Sequence, residues 1–236
     1  MIRLSVIIPA YNEEKRLPGT LQEVGGYLAG QLYESEIIVV SDGSKDGTAE
    51  AAKKAGVMVI DRKENRGKGY SVREGMLASS GEIRLFMDAD NATSVDHIEK
   101  MFPEFEKGAG VVIGSRDIAG AVIAVPQFWL RRRLGDVFNL IVQVVSGLWG
   151  IWDTQCGFKA FSAKAAKDIF PSVRIDRWAF DVELLVLAGK RGYGIKQVPV
   201  RWVNDPDSKV KFSGMVRMLL EVFQIRLNMI LGVYDR

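Results

Sequence analysis

The sequence predicts an α/β protein with a mostly parallel central sheet and helices on both faces. Short apolar runs alternate with polar segments of helical spacing through the first half of the chain, and strands alternating with helices build parallel sheets. Three of those apolar runs end in polar clusters, "PAYNEE", "SDGSKDGT" and "DADN". In open α/β sheets the ligand sits outside the carboxyl ends of the strands, so three such loops on one edge predict a binding site.

"LSVIIPA" (4–10) reads as a buried strand, "EIIVV" (36–40) as a second and "VMVID" (57–61) as a third. "IRLFM" (83–87) is a fourth and "GVVIGS" (110–115) a fifth. Helices are expected over roughly 13–30, 47–55, 68–80 and 95–107. Thr93-x-x-Asp96 has the form of a capping box and would start the last of these. His97 then falls in its first turn without a cluster of partners, as a surface or packing residue. In the second half, 119–152 is an apolar stretch interrupted by "RRR" at 131–133, and "GFKAF" (157–161) and "YGIKQVPVRWV" (193–203) read as strands. "WAFDVELLVLAGKRG" (178–192) is a helix with a glycine stop, and 213–233 forms a long final helix. No internal repeat or linker divides the chain, which reads as one domain over 1–236 with C-terminal elaborations.

Composition narrows the chemistry. The 236 residues are 47% hydrophobic and 26% charged, enough for a sizeable core and unlike a disordered chain. A net charge of +3 without any zinc-finger or RNA-binding signature argues against nucleic acid as a partner. One cysteine, Cys156, excludes an internal disulfide and fits a reducing compartment. One histidine excludes a multi-histidine metal site and most histidine-based triads, so any metal would have oxygen ligands, which favours Mg²⁺ or Mn²⁺ over zinc. Met1-Ile2-Arg3 leads straight into the first strand, so no signal peptide is expected. The longest uncharged run, Val137 to Trp152, has 16 residues, short of the ~20 that span a bilayer.

The fourth strand ends in Asp88-Ala89-Asp90. Alternate residues of an extended segment point the same way, so both carboxylates can approach one cation. Mg²⁺ and Mn²⁺ are commonly held by one or two carboxylates together with substrate phosphates, and such an ion would bridge a nucleotide diphosphate. "GKGYSVREG" (67–75) invites a dinucleotide reading, but Val72 stands where the third glycine belongs, and the loop follows the third strand rather than the first.

"VIIPAYNEEKRL", "VSDGSKDGT", "NRGKGYSVREGM", "FMDADNAT" and "GSR" occur in the order and approximate spacing of a known family. The chain resembles the inverting glycosyltransferases of family 2, with the GT-A fold. "DTQCGFKAF", "RWAFDVELL" and "VPVRW" resemble a narrower branch, the dolichyl-phosphate glucosyltransferases and their polyprenyl-phosphate relatives. The resemblance implies that Pro9, Tyr11 and Glu13 line the base and ribose, that Asp42 hydrogen-bonds the base, and that Lys68 lies by the nucleotide. It places Asp88, Ala89 and Asp90 against the metal and the ribose–phosphate, and Lys209 of "DPDSK" near the diphosphate. Ser41 departs from the usual "DDGS", and "DPDSK" lacks the usual "GSK" glycine. By the same resemblance 1–116 is the nucleotide-sugar half, 117–212 the acceptor half and 213–236 an amphipathic helix.

A lipid-phosphate acceptor needs cations rather than a strong base, because a phosphate monoester is already anionic near neutral pH. Arg116 and Arg131 to Arg133 are the candidates for it, with a solvated helix face as the alternative for the triplet, and the resemblance singles out Arg131 beside Arg116. A hydroxyl acceptor would need a base, for which Asp153 and Asp181 are the carboxylates available. The resemblance sets Asp153 close to the acceptor as the catalytic or orienting carboxylate, with Asp90 as the other catalytic acid. It implies metal-dependent transfer of glucose from UDP-glucose to a dolichyl or polyprenyl phosphate at the cytoplasmic membrane face. GDP-mannose as donor, or a hydroxyl acceptor, is the alternative. A reading of another class, a non-catalytic protein that recruits a partner, is opposed by the intact DxD.

Arg217, Glu221, Gln224 and Asn228 make one narrow polar stripe on an otherwise apolar final helix. Arg132, Asp136, Asn139, Gln143 and Ser146 make a similar stripe on the earlier one. Such wide apolar faces fit a membrane surface, with packing on the domain or on a second copy of the chain as the alternative. Arg226 lies opposite its helix's polar stripe and must snorkel or find a partner.

Overall fold

The computed structural model describes residues 1–124, 129–203 and 212–235, with the side chains of 129–134, 136, 212–213 and 215 also outside the description. Among the described residues seven strands form the main sheet: β1 (Leu4–Ala10), β2 (Ser35–Asp42), β3 (Met58–Arg62), β4 (Ile83–Met87), β5 (Val111–Ser115), β7 (Phe158–Ser162) and β8 (Ile195–Pro199). Their order is β3-β2-β1-β4-β7-β5-β8. β1 to β4 run parallel, as does the β5–β8 pair, while β7 lies antiparallel between β4 and β5. Two short strands, β6 (Val122–Ile123) and β9 (Arg201–Trp202), pair separately.

The strands are apolar on both faces because both faces are covered. Val6, Ile8, Leu85, Met87, Phe158 and Ala160 pack with α1 (Leu17–Ala29), while Ile7, Ile38, Phe86, Ile113 and Phe161 face α3 (Lys68–Ala78) and α7 (Phe180–Lys190). The remaining helices are α2 (Thr48–Lys54), α4 (Phe102–Glu106), α5 (Trp129–Ser146), α6 (Ala163–Ile169) and α8 (Phe212–Ile230).

Three local expectations change. The first helix begins at Leu17 rather than near residue 13, with Pro18 in its first turn, because the amides of 12–14 are bonded to the neighbouring loop. The segment 95–107 is a 3₁₀ turn, Val95–Lys100, followed by the short α4, because Pro103 has no N–H to carry one helix through. Its N-cap is Ser94, not Thr93, and Thr93 is buried. His97 is a packing residue. Its Nε2 accepts from the Arg201 amide at 2.9 Å, which places the proton on Nδ1, 3.2 Å from the Ser94 carbonyl oxygen.

α8 docks through side chains that its sequence pattern assigned to a polar stripe. Glu221 Oε2 accepts from the Trp178 and Ala179 amides at 3.1 and 2.9 Å, capping the start of α7. Asn228 reaches the Tyr234 hydroxyl, which in turn donates to the fully buried Glu183 at 2.6 Å. Met218, Val222 and Ile225 are buried beside them. In α5, Gln143 and Ser146 of the expected polar stripe are also buried, bonded to the Gly150 amide and the Val142 carbonyl. Arg217 and Gln224 of the α8 stripe stay exposed, and the helices also turn apolar side chains outward: Val137, Leu140 and Val144 on α5, and Val216, Leu220 (64% exposed), Phe223, Leu227 and Ile230 (68%) on α8. Arg226 is exposed. No helix among the described residues is long and apolar enough to cross a membrane.

Replacing Glu221 by Ala removes both acceptors from the α7 terminus and is expected to cost about 1–2 kcal/mol. Thermal melts should register this as a fall in Tm of about 2–8 °C, with Glu221→Gln nearer the native value.

Candidate active site

The carboxyl ends of β1, β2, β4 and β5 lie on one edge, and successive loops there are bonded to one another. After β1, Asn12 (φ +53°) accepts from the Lys45 amide at 2.9 Å, and its own amide donates to Ser44. Glu13 donates its amide to Thr48, while its carboxylate holds Arg16 at 2.7 Å. Pro9 is buried in β1, and Tyr11 stands exposed beyond it. These contacts join the first polar cluster to the second.

Asp42 ends β2 and ties that loop to the next. Its carboxylate accepts from the Arg66 and Gly67 amides, both at 2.8 Å, and pairs with Arg62. Gly43 is left-handed (φ +66°), and a Cβ there would fall 2.5 Å from the Glu64 carbonyl carbon, so only glycine lets the two loops meet. Ser41 is fully buried, at a position where a second carboxylate would have to be desolvated. The glycines of "GKG" serve packing: a Cβ on Gly67 would lie 2.4 Å from the Asp176 carbonyl oxygen, and one on Gly69 2.6 Å from that of Ile175. The Gly69 and Tyr70 amides donate to the Arg177 and Asp176 carbonyls, so the start of α3 is closed by protein rather than open to a dinucleotide.

Lys68 opens α3 and places its ammonium 2.5 Å from Asp88 Oδ1. Burial pulls its pKa down, but the charges of Asp88 and Asp181 outweigh this and hold it up at about 12. The aspartates are not on an extended segment, as the sequence pattern suggested. Met87 is the last strand residue, and the Asn91 amide closes a turn onto the Asp88 carbonyl at 3.2 Å, with Asn91 left-handed at φ +53°. Ala89 is buried, and its carbonyl accepts from Thr20 of α1 at 2.7 Å. Asp90 accepts from the Ala92 amide, and burial together with the charge of Asp88 raises its carboxyl pKa.

On the far side of β7, Arg116 follows β5 and grips Asp153. Its amide and Nε donate to Oδ2, each at 2.8 Å, and Nη2 donates to Oδ1 at 2.7 Å. Asp153 is 2% exposed. Burial alone would raise its pKa, but the Arg116 charge and hydrogen bonds hold it below the usual aspartate range. The Arg116 guanidinium also lies over Trp202, its carbon 5.1 Å from the ring centre.

Between these two sides lies a feature that the sequence reading missed. Lys159 of β7 is fully buried, with its ammonium 2.5 Å from the Cys156 carbonyl oxygen and 2.6 Å from Asp181 of α7. Asp181, in the first turn of α7, is thus the buried counter-ion of Lys159. Burial pushes its carboxyl pKa up against the pull of Lys159, and burial likewise pushes the Cys156 thiol to about 12. Removing one member of such a pair costs about 3–5 kcal/mol. The available signal was a lysine in an apolar strand with both faces covered, which demands an acid nearby.

The structure therefore brings together Pro9, Tyr11, Glu13, Asp42, Lys68, Asp88, Ala89 and Asp90 along one edge, with Arg116 and Asp153 on the same edge beyond β7. Arg131 lies in α5 with its side chain outside the described residues, and Lys209 lies outside them altogether. Among the described residues no group of three or more metal-ligating side chains occurs, so an ion at Asp88 and Asp90 would complete its shell with substrate oxygens. Adjacent carboxylates, one already holding a cation, are an oxygen-donor pair suited to Mg²⁺ or Mn²⁺.

Sheet order and the strand-end loops give the α/β fold of GT-A proteins, and the family match makes the chain a glycosyltransferase of that fold. The chain belongs to glycosyl transferase family 2, whose model matches residues 5–170. It is 39% identical to dolichyl-phosphate beta-glucosyltransferase ALG5C of Trichomonas vaginalis, over 97% of this chain and 72% of that one. It is 38% identical to dolichyl-phosphate beta-glucosyltransferase of Dictyostelium discoideum (99% and 76% covered) and 37% identical to that of Homo sapiens (98% and 77%). Glucosyl-3-phosphoglycerate synthase from Mycobacterium tuberculosis, crystallised with Mn²⁺, UDP-glucose and phosphoglyceric acid, shares the fold with a TM-score of 0.72 at 19% identity, over 96% and 79% of the two chains.

The lowered pKa of Asp153 fixes the sign of a pH effect. The pair stabilises fully above the ordinary aspartate value of 3.8, and the contribution is lost as pH falls below it. In urea titrations Asp153→Asn should be less stable by about 2–3 kcal/mol at neutral pH, with the gap to the native chain closing in acid.

Proposed function

We propose that this chain transfers glucose from UDP-glucose to dolichyl phosphate, with inversion at the anomeric carbon. One observation above all supports a phosphate acceptor. Asp153 and Asp181, the two carboxylates considered as bases for a hydroxyl, are both buried and each already holds a cation, the half-buried Arg116 and the fully buried Lys159. A phosphate monoester needs no base: its own oxygen attacks the anomeric carbon, and the nucleotide diphosphate leaves from the opposite face. The curated relatives at 37–39% identity, all dolichyl-phosphate glucosyltransferases, support the same acceptor and sugar.

On this reading the half of the site formed by 1–116 takes the donor. Pro9, Tyr11 and Glu13 line the base and ribose, with Asp42 shaping the loop beside them. Lys68 offers a point charge to the diphosphate. Asp88 and Asp90 would hold Mg²⁺ or Mn²⁺, which supplies charge neutralisation for the departing diphosphate. Residues 117–212 take the acceptor, whose phosphate is oriented by the Arg116 guanidinium that Asp153 holds in place, with Arg131 beside it. Lys209 belongs to the donor side.

The reading places the protein at the cytoplasmic membrane face, a reducing compartment that suits a single unpaired cysteine. The outward apolar faces of α5 and α8 would rest on the lipid surface.

The transfer is tested with purified protein, labelled UDP-glucose, dolichyl phosphate and Mn²⁺ or Mg²⁺. Labelled lipid product is expected, with a loss on the order of 100-fold or more for Asp90→Asn. Full activity in that variant would remove Asp90 from the mechanism, and product formed from GDP-mannose but not UDP-glucose would replace the donor.

Flotation with liposomes tests the surface. The native chain should float, and Leu220→Glu with Phe223→Glu should stay at the bottom. A native chain that sediments as a dimer and never floats assigns those faces to a second copy instead.

A further inference from the structure

We propose that Lys159 and Asp181 are positioning residues for the transfer, setting the spacing between the donor acids and the acceptor arginine. The inference rests on the reading in which Asp88 faces the donor and Arg116 the acceptor.

One segment, 153–157, touches both sides. At its start Asp153 holds Arg116 through three hydrogen bonds. At its end the Gly157 carbonyl accepts the Asp88 amide at 3.2 Å. The Gly157 α-carbon also lies so close to the Asp88 side chain that a Cβ would fall 2.0 Å from Oδ2. The segment therefore transmits any displacement from one side to the other. Between those ends its Cys156 carbonyl is held by the Lys159 ammonium at 2.5 Å, and Asp181 holds that ammonium at 2.6 Å.

Lys159 sits at the centre of the arrangement. In register it lies opposite Phe86 of β4 on one side and Ile113 of β5 on the other, the strands that lead to Asp88 and Arg116. Asp181 comes from α7, so the segment is referenced to the helix layer as well as to the sheet.

Stability alone is a poor reason for such a pair. Both groups are desolvated, and apolar residues of similar volume in place of a buried ion pair are often neutral or stabilising. What Met and Leu cannot supply is a directed bond to one carbonyl oxygen. In a two-substrate displacement, where a misplacement of about 1 Å can cost on the order of 100-fold in rate, that bond matters more than its contribution to folding.

The test compares the native chain with the double variant Lys159→Met, Asp181→Leu. Three measurements are made on each: the Tm, the affinity for UDP with Mn²⁺ by calorimetry, and kcat and KM for both substrates well below the Tm. The positioning role predicts a Tm equal to or above the native one, UDP–Mn²⁺ affinity weakened several-fold, and kcat lower by about 10–100-fold. A folded double variant with native kcat and native UDP–Mn²⁺ affinity overturns the proposal. Should that variant fail to fold, Lys159→Met with Asp181→Asn, a neutral pair that keeps the Asp181 volume but lacks the ammonium bond to the Cys156 carbonyl, takes its place with the same expected loss in kcat. Failure of both to fold makes the pair a folding element and overturns the proposal equally. A native chain that binds no UDP with Mn²⁺ sinks the donor reading itself, and the positioning role falls with it, an outcome visible before any variant is made.

Discussion

The antiparallel strand β7 is the constraint on which the site depends. A purely parallel sheet would bring β4 and β5 side by side and leave Asp88 and Arg116 on adjacent loops. Inserting β7 separates them by one strand and adds its own leading segment, 153–157, to the same edge. Because β7 runs the opposite way, its first residue, Phe158, pairs with the last residue of β4, Met87. The entry to one strand thus meets the exit of another. The Asp88 amide then finds its acceptor in Gly157, outside the regular ladder.

Around that seam, charges alternate in space. Arg116 meets Asp153, Lys159 meets Asp181, and Lys68 meets Asp88. The Asp181 charge also acts on Lys68, and that of Asp88 on Asp90. Each pair joins segments that are distant in sequence, so the polar network ties the loops to the sheet and the helix layer as the apolar layers tie the strands. A low local dielectric makes such a network stiff when every member is matched, and costly when one is missing.

Much of this was legible in the sequence, and the illegible part has a physical reason. "IRLFM" gave β4 to the residue, because a fully buried parallel strand is a continuous apolar run with sharp ends. The three strand-end clusters fell on one edge because the alternation of strands and helices leaves little choice of topology. The direction of β7 was not readable, since periodicity carries no sign. The Lys159–Asp181 pair stayed hidden because its members are 22 residues apart in sequence, and only the sheet and α7 bring them together. The polar stripes of α5 and α8 were read correctly as stripes. Which members would be buried was not readable, because Glu221, Gln143 and Ser146 find hydrogen-bond partners inside the protein, which a helical wheel cannot display, while Arg217 and Gln224 stay exposed.

Glu221 has a mechanical corollary. It takes hold of α7 at its leading amides, a turn from the acid that anchors the buried lysine. The opposite side of the same α8 carries the row of outward leucines and phenylalanine. A load on that row would reach the start of α7, and with it the helix layer behind Asp181, through the two Glu221 contacts.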